Sequence, residues 1–491
     1  MRNIQIMRCE LITAAINKAS ALTDFDIHDD IHKIFEFRKK IILADEYLTK
    51  IEILEAIKLL NKSYDHDKVL NSEGIRRICE NCKEKCLATL YCELCIRNYL
   101  KTKFSNWKSG NDNIDNLIRK CQMETFRPDK IVEWIPYNNL RNIKYLTKGG
   151  CSEIYTADWI NGGYDEWNSK EKQLERKGRH KVILKRLESI ESANRSWFEE
   201  AKSHLAVSNK WNEIVGCFGL TQDPFNKSYM LVVYLMDMDL RKYLRLNHSK
   251  LTWKGRFEII NNIVNALHVI HSENAIHRDL HSGNILCYQH INFWTISDFG
   301  FCGPVDKPLN SIYGNLPYIA PEVIVKMKYS FASDIYSIGM LMWEISSGQP
   351  PYANIDHDYY LAMNIVHGMR PKPVLGIPLE YKILMERCWD ADPAKRPDIN
   401  NFSHEIHQIL KSYNQNENNE YSTNIYNSQL NLSISPSSGS INSSIRTYLS
   451  KTHSFKYLPE PRNATKVEQE AYYSLQNDLS LPDSMYTVNN I

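Results

Sequence analysis

Two short segments in the second half of the chain place acidic and amide side chains close together. His277-Arg278-Asp279 is followed by Asn284, and Asp298-Phe299-Gly300 comes after a further apolar stretch. Apolar residues flank both segments, as expected for loops at the ends of buried strands. A carboxylate can accept a proton from a hydroxyl group, and carboxylate and amide oxygens are ligands that Mg²⁺ accepts. These residue types indicate a centre that combines proton acceptance with metal binding.

Two upstream segments offer groups that could hold phosphates. Thr147-Lys148-Gly149-Gly150-Cys151-Ser152 places two glycines in a turn, and a glycine lets backbone N–H groups approach a phosphate because it carries no Cβ. Val182-Ile183-Leu184-Lys185 is an apolar strand that ends in a lysine. A predicted helix then supplies Glu200, which we prefer to Glu199 as the partner of that lysine. Taken singly, each of these charges is also consistent with an ordinary surface residue.

In this chain order, the segments resemble the protein kinase superfamily over about residues 137–412. The resemblance is greatest to the tyrosine-kinase-like group of Ser/Thr kinases, because Tyr318-Ile319-Ala320-Pro321-Glu322 is similar to the end of their activation segment. Ser333-Asp334-Ile335 resembles the start of a buried helix in the same family, and Arg396 is the implied ion-pair partner of Glu322. The resemblance implies an α+β bilobal fold, with ATP between a β-rich N-lobe and a helical C-lobe.

The resemblance also assigns roles to the residues of the cleft. Asp279 would accept the proton of the substrate hydroxyl, and Asn284 and Asp298 would bind Mg²⁺. Lys185, paired with Glu200, would hold the α- and β-phosphates of ATP. The residues implied to contact the nucleotide are Thr147, Gly149, Gly150, Ser152, Ile154, Ile183, Lys185, Val233, Tyr234, Met236 and Leu286. The implied activity is transfer of the ATP γ-phosphoryl group to Ser/Thr hydroxyls of a protein substrate in intracellular signalling.

Five positions depart from the family pattern. Ile183 replaces the small alanine that usually lies over the adenine ring, and Thr147 and Ser152 replace the outer glycines of the phosphate-binding loop. His281 stands where most Ser/Thr kinases carry a lysine, and Asn315 replaces a threonine of the P+1 loop; we interpret these two as a matched pair. Since the metal ligands, the proton acceptor and the Lys–Glu pair are retained, we expect an active enzyme. An ATP-binding pseudokinase or scaffold that acts through protein interactions is the alternative.

The activation segment also suggests a regulatory site. Arg278 precedes the catalytic aspartate, so a phosphate on Ser311 or Tyr313 could pair with its guanidinium and order the segment. The alternative is that both are ordinary loop residues.

Four cysteines form two C-x-x-C pairs in the first quarter of the chain. Cys79 and Cys82 are followed, after nine residues, by Cys92 and Cys95. Two such turns facing each other complete a tetrahedral Zn²⁺ site, so we predict a closed structural zinc centre. Cys86 is an extra thiol that could substitute in the site. Nothing basic and aromatic enough in this region favours nucleic acid, and a protein partner of the N-terminal region is the preferred role.

The composition defines the remaining organisation. The formal net charge of +2 gives no argument for nucleic acid or an acidic membrane surface, and no signal peptide or long apolar span is recognised, so we expect a cytoplasmic protein, with the nucleus as the alternative. The expected regions are helical from 1–75, cysteine-rich from 76–110, a helical linker from 111–136, and the kinase domain from 137–412. The polar insertion 161–181 is expected to be a solvated loop. Residues 413–491 are expected to be mostly disordered, with 472–481 as a short docking element.

Overall fold

The computed structural model describes most of the chain, including all five predicted catalytic side chains. The described residues are 8–24, 27–125, 127–148, 152–187, 197–289, 292–300, 302, 312–353, 355–420 and 450–478. Within these ranges, no helix combines the length and the apolar character that crossing a membrane requires.

Three helices of the N-terminal region pack together because each carries an apolar face. They are α1 (Cys9–Ala21), α2 (Ile31–Leu43) and α3 (Lys50–Asn71). Their shared core includes Phe35, Ile42 and Leu60. Thr49 and Glu52 form a capping box at the start of α3, which satisfies backbone N–H groups that the first turn leaves free.

The cysteine-rich region forms a short hairpin followed by two helices. These elements are β1 (Arg77–Ile78), β2 (Lys85–Cys86), α4 (Glu93–Lys103) and α5 (Asp112–Met123). Ile114 and Ile118 lie one turn apart on α5, and both are fully buried. The apolar stripe of this helix therefore faces the protein interior.

A six-stranded sheet and one helix form the N-lobe. In chain order the elements are β3 (Glu133–Trp134), β4 (Leu140–Lys148), β5 (Glu153–Trp159), β6 (Tyr164–Asn168), β7 (Gln173–Arg176), β8 (His180–Arg186), α6 (Trp197–Ser208), β9 (Cys217–Gln222) and β10 (Tyr229–Tyr234). The strand order is β3-β9-β10-β8-β5-β4, while β6 and β7 pair only with each other. Because side chains alternate along a strand, Val182 and Leu184 face one side of the sheet, whereas Ile183 and Val233 face α6.

The β6–β7 hairpin corrects one expectation, because the insertion 161–181 is not a solvated loop. Leu174 is buried in a cluster with residues of the cysteine-rich region, and Trp167 packs against the cysteines themselves. Arg176 forms an ion pair with Glu133, with 2.5 Å between nitrogen and oxygen. The few apolar residues of this charged segment are widely spaced, so their pattern did not indicate a packed element.

The C-lobe is mainly helical and contains the largest apolar core. Its elements are β11 (Met238–Asp239), α7 (Leu240–Asn247), α8 (Trp253–Ser272), β12 (Ile285–Tyr288), β13 (Phe293–Ile296), β14 (Ile312–Gly314), α9 (Pro321–Lys326), α10 (Phe331–Ser347), α11 (Tyr359–Val366), α12 (Leu379–Cys388) and α13 (Ile399–Glu420). Helices α8 and α10 are buried along most of their length. Together the two lobes confirm the predicted bilobal α+β fold.

The C-terminal region also differs from expectation. Helix α13 continues to Glu420, and residues 450–478 contain the strand β15 (Lys451–His453) and the helix α14 (Lys466–Asp478). Strand β15 pairs antiparallel with β14 of the activation segment. Gln469, Asn463 and Phe455 of this region contact the C-lobe, which its polar composition does not indicate.

Candidate active site

The loop that carries Asp279 is fixed by one buried carboxylate. Asp334, in the first turn of α10, accepts hydrogen bonds from the backbone N–H groups of His277 at 2.8 Å and Arg278 at 3.0 Å. Arg278 has a φ of +71°, a conformation that costs energy for a residue with a side chain. The two hydrogen bonds hold the backbone in this conformation, and they thereby set the position of the next residue, Asp279.

The predicted proton acceptor and one predicted metal ligand are in contact. The Asn284 side-chain amide donates a hydrogen bond to the backbone carbonyl of Asp279 at 2.8 Å. Both side chains are largely buried, so water competes little for them. With its Nδ2 bonded to this carbonyl, Asn284 has its Oδ1 atom as the group that could bind a cation.

Lys185 joins the second predicted metal ligand to helix α6. Its Nζ atom lies 2.8 Å from Glu200 Oε1 and 2.7 Å from Asp298 Oδ1. Glu199 is exposed and lies 3.5 Å from Lys202, so the structure brings Glu200 to the lysine. The three charged groups therefore form one network across the sheet, the helix and the D-F-G segment.

Phe299 links the D-F-G segment to helix α6 and the catalytic loop. Its ring is fully buried, with its centroid 5.2 Å from that of His204 and 5.6 Å from that of His277. Burial lowers the pKa of His204 to about 4, so this imidazole is neutral and packs as an aromatic ring at neutral pH. Helix α6 is thus held to the catalytic loop by aromatic contact.

The residues predicted to contact the nucleotide do not all direct their side chains to the same side of the sheet. Ile183 lies opposite Val233 in the sheet, on the same side as Lys185. Leu286 alternates with two residues buried in the C-lobe core and faces away from that core. The Tyr234 ring stacks on Phe218 at 4.2 Å on the opposite side of the sheet, so only its backbone can face the cleft.

The phosphate-binding turn is described only at its edges. Thr147 lies in β4 and Ile154 in β5, where the two are register partners, and Ser152 is buried just before β5. Met236 is half-buried in the connection after β10. Gly149 and Gly150 lie outside the described residues.

Two further expectations concern the activation segment. Arg396 donates bidentate hydrogen bonds of 2.7 Å to both carboxylate oxygens of Glu322, which gives the ion pair inferred from the resemblance. Tyr313 is buried in β14, and Ser311 lies outside the described residues.

His281 occupies a neutral, buried position beside the catalytic aspartate. Its Nδ1 atom accepts the Gly283 N–H at 3.0 Å, so the ring proton is on Nε2, which lies 3.8 Å from Asp279 Oδ1. Burial, together with the nearby Arg241 guanidinium, lowers the pKa of His281 to about 3. The imidazole can therefore donate one hydrogen bond without carrying a charge.

One residue at the site was missed by sequence reasoning. The Ser450 hydroxyl donates a hydrogen bond to Asp279 Oδ1 at 2.8 Å, and its oxygen lies 3.1 Å from His281 Nε2. A serine in a Ser-rich tail carries no local signal. The apolar residues around it, such as Phe455 and Leu458, were the available sign that this part of the tail could pack.

The four paired cysteines also come together. The Sγ atoms of Cys79 and Cys95 are 3.7 Å apart, as are those of Cys82 and Cys92, and all four lie within 4.8 Å of one another. A disulfide needs about 2.05 Å, whereas a tetrahedron with Zn–S bonds of about 2.3 Å has edges of roughly 3.8 Å. The geometry excludes disulfides among these four and fits a tetrahedral metal.

The bilobal fold and the Lys185–Glu200–Asp298 network beside Asp279 are the arrangement of a protein kinase domain. The family of protein tyrosine and serine/threonine kinases matches residues 140–406, which is more than half of the 491 residues. The chain belongs to this protein kinase family, as its motifs predict.

Several relatives share the kinase region. The chain is 24% identical over 332 residues to a protein of Dictyostelium discoideum named as a probable serine/threonine-protein kinase, covering 64% of this chain and 18% of that one. A protein of the same organism named as a probable LIM domain-containing serine/threonine-protein kinase is 31% identical over 191 residues, covering 38% of this chain and 29% of that one. A Drosophila melanogaster protein named as a putative mitogen-activated protein kinase kinase kinase 7-like protein is 27% identical over 227 residues, covering 44% of this chain and 57% of that one. The chain thus spans less than two thirds of each of these relatives.

Proposed function

We propose that this chain transfers the γ-phosphoryl group of ATP to serine or threonine hydroxyls of proteins. The observation that carries the proposal is the complete network in which Lys185 contacts both Glu200 and Asp298 beside Asp279. The relatives named as probable serine/threonine-protein kinases support the same acceptor class.

Each residue of the network has a task in this reaction. Lys185, oriented by Glu200, holds the α- and β-phosphates of ATP. Asp298 and Asn284 would hold Mg²⁺, which would supply positive charge to offset that of the phosphates. The Asp279 carboxylate orients the acceptor hydroxyl and takes its proton as the hydroxyl oxygen attacks the γ-phosphorus in line with the departing ADP. The carboxylate and amide oxygens present are donors that suit Mg²⁺.

The test compares the full chain with variants of the network, using casein as a generic substrate. Asp279→Asn removes the proton acceptor, and we expect casein phosphorylation to fall by about 100-fold or more. Glu200→Gln should also reduce the rate strongly, whereas Glu199→Gln is the matched control on the same helix turn and should not. Nucleotide-dependent thermal stabilisation without any casein phosphorylation would favour the pseudokinase alternative.

We also propose that Cys79, Cys82, Cys92 and Cys95 hold a structural Zn²⁺ ion. The closed set of four thiolates leaves no open position for catalysis, and the cluster packs against Trp167 of the β6–β7 hairpin. The ion would therefore stabilise the contact between the N-terminal region and the N-lobe. We infer a protein partner for this region and a cytoplasmic location.

Metal analysis of the full chain tests this site. We expect about one zinc ion per chain, as a single tetrahedral site requires, and a lower melting temperature after chelation. Cys79→Ser with Cys95→Ser should abolish the bound zinc, whereas Cys9→Ser, an exposed cysteine of α1, should leave it unchanged. Zinc retained by the double variant would contradict the assignment.

A further inference from the structure

The C-terminal segment occupies the place where a protein substrate of the proposed kinase must bind. Strand β15 adds to β14 with Tyr313 opposite Thr452 and Gly314 opposite Lys451. The residue that precedes β15, Ser450, is thereby delivered to the catalytic loop and is almost fully buried there. Strand addition of this kind uses the backbone for affinity and leaves the side chains to set specificity.

The hydroxyl of Ser450 has the polarity that an acceptor needs. It donates to Asp279 Oδ1 at 2.8 Å, and its oxygen receives the Nε2–H of His281 at 3.1 Å. The Tyr313 hydroxyl donates to the Ser450 carbonyl at 3.3 Å, which fixes the backbone on the other side. A serine oxygen held in this way keeps one lone pair for attack, while its proton already points at the carboxylate.

A second contact, distant from the catalytic loop, anchors the segment. Gln469 of α14 exchanges two hydrogen bonds with the backbone of Arg370, at 3.0 and 2.9 Å. The Asn463 side chain accepts the Ala391 N–H at 2.9 Å and donates to Asp390 at 3.0 Å. All four hydrogen bonds link the C-terminal segment to residues of the C-lobe that are far away in the sequence. Together they hold the segment in one defined position on the C-lobe.

We propose that Ser450 is the acceptor of an intramolecular phosphoryl transfer, and that the docked segment 450–478 excludes other protein substrates until this transfer has occurred. The proposal rests on the proposed kinase function. In the step, Ser450 Oγ forms a bond to the γ-phosphorus of ATP, and the bond from that phosphorus to the β,γ-bridging oxygen breaks. ADP leaves with the electron pair, and the hydroxyl proton passes to Asp279.

The product of this step cannot stay where it forms. A phosphoserine carries about −1.5 to −2 charge at neutral pH, and once Asp279 has released the transferred proton to solvent, the phosphate would lie against its carboxylate. The repulsion between these like charges favours release of the segment, which opens the site to other substrates. The enzyme would thus remove its own block in its first turnover.

The experiment uses the full chain, treated with phosphatase, repurified and then given Mg²⁺ and ATP. Mass spectrometry measures phosphate on Ser450, and casein phosphorylation is followed in a parallel reaction. We expect Ser450 to be modified with a fractional rate that does not depend on enzyme concentration, as an intramolecular reaction requires. Ser450→Ala removes the acceptor hydroxyl. Its control is Ser454→Ala, at an exposed serine four residues further along the chain, which should leave the modification of Ser450 unchanged.

A docking variant tests the anchor without touching the catalytic residues. Gln469→Ala with Asn463→Ala should slow Ser450 modification about tenfold, a loss of roughly 1.4 kcal/mol in docking, and should raise initial casein phosphorylation. Casein phosphorylation without Ser450 modification, a fractional rate of Ser450 modification that rises with enzyme concentration, or an unaffected docking variant would each overturn the inference. If neither casein nor Ser450 is phosphorylated, the proposed function itself fails.

Discussion

Two regions outside the kinase lobes contact them in opposite ways. Helix α5 packs on the N-lobe through an apolar cluster in which Ile114 and Ile118 meet Ala201 and Leu205 of α6. The C-terminal segment meets the C-lobe through backbone pairing, polar side chains such as Gln469 and a few apolar side chains, such as Phe455, that are only partly buried. A fully buried apolar contact is hard to open, whereas part-buried hydrogen bonds such as those of Gln469 form and break at lower cost, because water can replace them. The difference indicates a permanent support at one lobe and a reversible block at the other.

The largest expected effect comes from weakening the permanent contact. Ile118→Ala removes a fully buried side chain, and we expect the free energy of unfolding to fall by about 2–5 kcal/mol. Because α6 carries Glu200, casein phosphorylation should fall as well, even though Ile118 is not at the active site. Urea unfolding and the casein assay measure both effects.

Asn116→Ala, an exposed position on the same helix, is the matched control and should be close to wild type. A variant with normal unfolding but reduced activity would indicate that α5 acts on catalysis without supporting the fold. If Ile118→Ala shows a normal unfolding free energy and normal casein phosphorylation, α5 does not support the N-lobe.

A charge at the acceptor position should break the reversible contact. Ser450→Asp places a carboxylate beside Asp279, and two such groups in contact repel each other. We expect the initial rate of casein phosphorylation to rise about tenfold, which corresponds to roughly 1.4 kcal/mol of docking lost. Ser454→Asp adds the same charge at an exposed position and should leave the rate unchanged; an equal rise in both variants would contradict the docking geometry.

These two contacts were predictable from the sequence to different degrees. The apolar face of α5 follows from the spacing of Ile114, Leu117, Ile118 and Cys121, although its partner on α6 does not. The catalytic motifs predict the lobes and the position of Asp279, because each motif is local in the chain. The docking of Ser450 depends on pairing between residues more than 130 positions apart, such as Gly314 with Lys451, for which no local pattern exists.

The conformation of individual side chains was also beyond the sequence. Tyr234 is expected at the nucleotide, but its ring stacks on Phe218 in the apolar cluster on the other face of the sheet. The face on which the Tyr234 side chain lies depends on the register of its strand, because a shift of one residue would move every side chain of that strand to the opposite face. The same limit applies to Trp167, whose contact with the cysteines joins two regions that appeared independent.

A smaller effect is expected from a single glycine under the docked segment. Gly368 has a φ of +87°, and a Cβ added there would lie 2.3 Å from the Ala464 backbone nitrogen. Gly368→Ala should displace the segment and raise the initial casein rate about threefold, equivalent to well under 1 kcal/mol. Gly376→Ala is a matched control, because Gly376 has a φ of +74° but nothing within 4 Å of the added Cβ. A rise in both variants would show that backbone strain, not the contact, causes the change.

The smallest expected effect concerns the hydroxyl of Tyr313. This hydroxyl bonds to Ser450 in the docked segment, and it is also the candidate phosphorylation site of the activation segment. Tyr313→Phe removes one hydrogen bond to the Ser450 carbonyl, and a single neutral hydrogen bond contributes about 0.5–1.5 kcal/mol. Because this hydrogen bond is long, at 3.3 Å, we expect the low end of that range, so that Ser450 modification slows about twofold with little change in unfolding free energy.

The sequence also suggests this hydroxyl as a phosphorylation site, and its burial makes the order of the two phosphorylations testable. With the segment docked, Tyr313 is only 5% exposed, so another kinase can reach it only after the segment has left. In time-resolved mass spectrometry with an added tyrosine kinase, phosphate should appear on Tyr313 after Ser450, and earlier in the Gln469→Ala, Asn463→Ala variant. Phosphate on Tyr313 while Ser450 is still unmodified and docked would contradict the block, because a buried hydroxyl in β14 cannot enter a second active site.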